Sequence, residues 1–233
     1  RFKRSHLAPM NFLLSYDIQY DPGKDFLNLR NVSVSMKERK WISLSGHVKG
    51  VTSRQDVSLR MQESDIRLDD VYPYYRAVTG DRKSIFKGTL SLYPFSVTGK
   101  ISSLDMKGVL KGRNLEFSQD ETGFQISNLN MPFSASKRGA DIKINSRLDL
   151  PRFIYTMERS RSGVNGLRVN ADISLVENMK TIVVNGLSIR HYDPLSGNTS
   201  LRTGMTGSVD VSPRLKGSLH VQSLIFDRNS LEP

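Results

Sequence analysis

The sequence predicts an all-β, mainly antiparallel fold: a large sheet, curled or folded over, with one or two short helices. Apolar and polar residues alternate from about residue 26 to the C-terminus, the period-two signature of strands with one dry face. Turn residues interrupt this alternation at short intervals, and only two stretches resist a strand reading.

Taken in order, the alternation predicts strands over residues 26–36, 42–51, 57–68, 88–93, 97–104, 108–117 and 124–131. It continues over 140–150, 167–175, 181–191, 200–211 and 215–226. The clearest case is Leu167-Arg168-Val169-Asn170-Ala171-Asp172-Ile173-Ser174-Leu175, where odd positions are apolar and even ones polar. Asp21-Pro22-Gly23, Asn165-Gly166, Asn185-Gly186 and Asp193-Pro194 read as turns between strands. Residues 69–79, with Val71-Tyr72-Pro73-Tyr74-Tyr75, and 151–162, with Phe153-Ile154-Tyr155, are each expected to be a short helix or a loop. Each follows a Leu-Asp strand end and leads into a Gly-led strand, at Gly88 and Gly166. That offset suggests a weak internal repeat, about 57–140 and 141–226, within one continuous unit spanning 1–233.

With 233 residues the chain is long enough for a sizeable core. Its 34 Lys and Arg against 23 Asp and Glu give a formal charge of +11, which favours polyanions or anionic membrane surfaces as neighbours. It has no cysteine, so thiol chemistry and Cys-ligated metals are excluded. No apolar run approaches the ~20 residues of a membrane-spanning helix. The opening Arg1-Phe2-Lys3-Arg4-Ser5 lacks a signal peptide's apolar region, and the chain is read as a segment of a larger protein.

No catalytic constellation stands out. His6, His47, His191 and His220 are scattered without a zinc-site spacing, and no nucleophile elbow, phosphate loop or dinucleotide fingerprint occurs. Asp69-Asp70 and Asp120-Glu121 read as solvated turn or cap residues, and Lys37-Glu38-Arg39-Lys40 and Asp81-Arg82-Lys83 as solvated links. The chain is therefore expected not to be an enzyme and to need no cofactor or metal.

The run Ile66-Arg67-Leu68-Asp69-Asp70-Val71-Tyr72-Pro73-Tyr74-Tyr75, then Gly80 and Phe86-Lys87-Gly88-Thr89-Leu90-Ser91-Leu92, resembles the AsmA-like and TamB-like envelope proteins of Gram-negative bacteria. Gly207-Ser208-Val209-Asp210-Val211 and Leu215-Lys216-Gly217-Ser218-Leu219 are in the same style. The resemblance covers about residues 57–226. It implies a long, curled, taco-like β-sheet whose inner face is an apolar groove that carries phospholipid between membranes, located in the periplasm and anchored to the inner membrane by a segment outside this chain. Phospholipid or another acyl-chain lipid is then the expected ligand. An anionic membrane surface and envelope proteins are further partners, and nucleic acid is not expected.

On that reading the apolar lining is Leu90, Leu92, Ile142, Ile144, Leu148, Leu167, Val169, Ile173, Val209, Val211, Leu219 and Val221. Alternation alone says only that one face must be covered, by a second sheet, a helix or lipid. Two other readings therefore stay open: a closed β-sandwich serving as a structural or protein-interaction module, and a basic polyanion-binding module.

Overall fold

The computed structural model describes residues 12–36, 39–80, 83–157, 160–176, 180–193, 195, 198–210 and 216–226. The elements are β1 (Phe12–Asp21), β2 (Phe26–Met36), β3 (Arg39–Lys49), β4 (Asp56–Ser64), β5 (Ile66–Arg67), α1 (Leu68–Thr79), β6 (Ser84–Lys100), β7 (Ser103–Gln119), β8 (Thr122–Arg138), β9 (Asp141–Met157), β10 (Ser160–Val176), β11 (Thr181–Tyr192), β12 (Thr199–Asp210) and β13 (Lys216–Phe226). All thirteen strands join one antiparallel sheet in chain order, with the short β5 pairing beside β4 on β6.

This meander is the simplest solution for strands joined by tight links. The sheet is curled but not closed: β1 and β13 remain its two edges. Each strand packs against its ladder neighbours, and no second sheet faces this one among the described residues. The closed sandwich left open by the alternation is not what forms.

Several boundaries differ from expectation. Residues 88–93 and 97–104 belong mostly to one 17-residue strand, β6, whose register shifts between Leu92 and Phe95. Residues 151–162, expected as helix or loop, are the ends of β9 and β10. There Phe153 lies opposite Ile126 on β8 and Val164 on β10, so cross-strand apolar pairs decide a segment whose local sequence is ambiguous. Asn165-Gly166 and Asn185-Gly186 lie within β10 and β11 rather than between strands. Asp21-Pro22-Gly23 is a turn as expected, and β1 precedes the first strand that alternation had marked.

The other ambiguous stretch is helical. Asp69 and Asp70 occupy the first turn of α1 and Arg76 its last, complementing the helix dipole. Gly80, at φ 72°, closes it by donating to the Arg76 carbonyl. Tyr72 and Tyr75 place their rings 5.8 and 5.1 Å from Phe86, and Leu68 packs onto the small core. Asp69 Oδ2 accepts the Gly88 backbone N–H at 3.4 Å, which ties the helix start to the strand that follows it.

That core is Leu115, Ile126 and Leu150, with Leu90, Leu129, Phe153 and Leu167 against it. It sits on a line where the alternation slips by one residue. On β7 the apolar phase is even from Leu104 to Gly112 and odd at Leu115 and Phe117; on β9 it is even from Ile142 to Leu150 and odd from Phe153 to Met157. The slip passes through Asn114 (φ 48°), Pro151 and Gly166 (φ 74°). Both sides still share one face, because a Cβ built on Gly112 would touch Leu115 and Leu129.

Candidate functional site

Register assembles the apolar phase into continuous cross-strand rows. One runs Val97, Met106, Ala135, Ile144, Ile173 and Val184 from β6 to β11, and ends on Gly207 and Leu219. The neighbouring row places Leu148 opposite Val169 and Val169 opposite Ile189. Beyond the core, most of these side chains are only half-buried, and the hydrophobic residues buried outright are Met36, Met61, Leu115, Ile126 and Leu150 among those described.

The predicted lining falls largely on this face. Ile142, Ile144 and Leu148 lie opposite Leu175, Ile173 and Val169, and Leu167 lies opposite the buried Leu150. Val209, Leu219 and Val221 continue the face through Ile182, Gly207 and Met205. Leu219 and Val221, on the edge strand, are 53% and 63% exposed. Leu90 and Leu92 stand opposite Gly112 and Leu110. Val211 lies outside the described residues.

A wide cavity lies elsewhere on the sheet. A trough of about 1310 Å³ runs from β4 to β13, and none of the twelve predicted residues lines it. Its lining contains two cross-strand rows of the other, polar phase. One is Ser96, Lys107, Ser134, Asn145, Asp172 and Gly186; the other is Val109, Pro132, Arg147, Asn170, Ser188 and Gly204. The intervening apolar-phase row, Phe95, Gly108, Phe133, Ser146, Ala171, Leu187 and Met205, also borders it, but the next apolar rows do not. The trough therefore opens on the polar phase, where small side chains leave room.

Along its margin lies a charged row. Asn130, Asp149, Arg168, Arg190 and Arg202 follow one another directly across β8 to β12. Asp149 accepts from Arg168 Nε, and from Arg147 Nε at 3.0 Å. The hydrogen bond to Asp149 raises the Arg168 pKa above its ordinary value against the opposing effect of burial, so this guanidinium stays charged. Its Cζ lies 5.0 Å from the Tyr192 ring centre, a cation–π arrangement. Arg190 Nε is buried without a hydrogen-bond partner.

The sequence pattern alone does not reveal this row. Its members are separated by 22 and 12 positions, so only the register brings them together. Among the described residues no group of three or more His, Asp or Glu is placed to hold a metal, and no helix is long and apolar enough to cross a membrane. In comparisons with known proteins, no family model, curated protein or solved structure matches the chain.

Proposed function

We propose that this chain is a lipid-handling segment of an envelope protein, in which acyl chains lie along the apolar phase of the sheet. The observation that supports the reading most is that apolar rows cross β6 to β13 with no second sheet opposite them among the described residues, α1 packing chiefly on β6 at one end. An apolar face of that extent must be covered, and patches larger than a few hundred Å² commonly mark lipid, membrane or protein contact. An acyl chain gains about 0.8 kcal/mol for each CH₂ it buries there. The resemblance to AsmA-like and TamB-like proteins adds the periplasm and phospholipid transfer to the proposal. No catalytic step is part of it.

The test is mass spectrometry of organic extracts from gently purified protein, beside a control protein from the same cells. Stoichiometric phospholipid that disappears in Ile144→Asp or Val169→Asp, with far-UV circular dichroism unchanged, is the expected result. Lipid no richer than in the control protein would overturn the reading.

A further inference from the structure

We propose that the polar-phase trough, together with the arginine row at its margin, binds an acidic polysaccharide. The trough crosses the sheet from β4 to β13, eight strand spacings or about 38 Å, which suits an extended chain rather than a single ion. Arg60, Lys107, Arg147 and Arg202 line it, and Arg190 stands beside Arg202 in register. Among the described residues Arg60, Lys107, Arg190 and Arg202 have no carboxylate partner. The lining carboxylate Asp172 is taken up by Lys143 at 3.3 Å.

The orphaned Arg190 Nε adds a specific reason to expect a ligand. A buried donor without an acceptor is costly, and directly opposed arginines repel one another unless an anion lies between them. Between the cations the lining offers hydroxyls and amides: Asn145, Asn170, Ser134 and Ser188. Those groups suit sugar hydroxyls. Single-stranded nucleic acid would need aromatic platforms along the whole trough; Tyr93, Phe95 and Phe133 line it only on β6 and β8, and the longer ladder Phe86, Phe117 and Phe124 belongs to the apolar phase beside α1. The site stands on the face opposite the apolar rows and does not rest on the lipid reading.

The experiment titrates the protein with polygalacturonate, with neutral dextran and with an oligothymidylate, each over a salt series. Polygalacturonate is expected to bind in a salt-dependent manner and dextran not at all. Arg190→Gln/Arg202→Gln should weaken polygalacturonate at least about tenfold, while Lys49→Gln/Lys100→Gln, an equal loss of charge elsewhere, should not. Arg190→Lys/Arg202→Lys keeps the charge but loses the guanidinium fork, and should fall between them should the glutamine pair fail to fold. Absence of binding, equal weakening in both glutamine pairs, or tighter oligothymidylate binding abolished by the same substitutions would each overturn the proposal. Ile144→Asp should leave polygalacturonate binding unchanged.

Discussion

Arg168 and Arg190 stand directly opposite each other across β10 and β11, two guanidinium groups in register on one face of the sheet. Like charges in that position destabilise a sheet, and Arg202 on β12 extends the run. On the other side, Asp149 binds Arg168 and Arg147 together, and the Tyr192 ring packs on the Arg168 guanidinium. One carboxylate thus holds a row whose net charge remains strongly positive.

Replacing Asp149 with Asn should therefore cost about 1–2 kcal/mol, the range for a charge-assisted hydrogen bond that is partly exposed. The loss should shrink as salt is added, because the uncovered arginine repulsion is screened. Urea unfolding of both proteins at low and high salt measures this. A salt-independent difference would mean that Asp149 acts through its geometry and not through its charge.

Asp25 links two turns. Thr52 N and Oγ1 donate to its carboxylate at 3.1 and 3.0 Å, Ser53 Oγ and Tyr20 Oη donate at 3.4 Å, and its carbonyl accepts from Gly50 N at 2.8 Å. Desolvation alone would raise the Asp25 pKa, but the donors from Thr52, Tyr20 and Ser53 together outweigh it and hold the carboxyl below its ordinary value. The stabilisation is therefore complete above the unfolded pKa of about 3.9 and vanishes as pH falls through the lower folded value. Asp25→Asn should abolish that part of the acid dependence. Thermal melts of both proteins from neutral pH down through this window provide the comparison, and parallel curves would exclude Asp25 as the titrating group.

The aromatic ladder under α1 is expected to be a major local stabiliser of the sheet. Phe117 lies 4.9 Å from Phe86 and 5.1 Å from Phe124, ring centre to ring centre, and Phe86 in turn carries Tyr72 and Tyr75 of α1. Phe117→Ala should cost about 2–3 kcal/mol, just below the core range because the ring is half-buried. Loss of helical signal in circular dichroism should accompany it, since α1 packs chiefly on β6. A stability loss with the helix signal intact would show that α1 holds to β6 without the ladder.

Much of this architecture could be read from the chain. Residues 26–36 and 181–191 alternate on either side of one phase slip, between Leu29 and Val32 and between Val184 and Leu187, and still form strands at almost those bounds. Residues 151–162 could not be read locally: Pro151 breaks the phase, and Ile126 and Val164, which complete the apolar pairs, lie in other strands. Gly166 and Gly186 resemble turns in sequence but lie within strands, Gly166 supplying a left-handed φ where the phase slips. Ile144, Val169 and the other predicted apolar residues follow from alternation, which fixes a face. The meeting of Arg168, Arg190 and Arg202 depends on strand register, which bulges such as that between Asp172 and Ile173 reset.

The close approach of β3 and β4 depends on a single glycine. Gly46 has φ 150°, and a Cβ there would run into the carbonyl oxygen of Ser58 on β4. No side-chain rotation can relieve a clash with backbone. Gly46→Ala should therefore cost about 1–3 kcal/mol, the scale of one strained backbone position. By contrast, Gly163→Ala places its Cβ no nearer than 3.9 Å to any neighbour and should change stability by less than about 0.5 kcal/mol. Amide hydrogen exchange locates the damage: protection should fall in β3 and β4 of the Gly46 variant and stay unchanged in β10 and β11. Equal costs for the two substitutions would show that the β3–β4 pairing yields enough to admit a methyl group at Gly46.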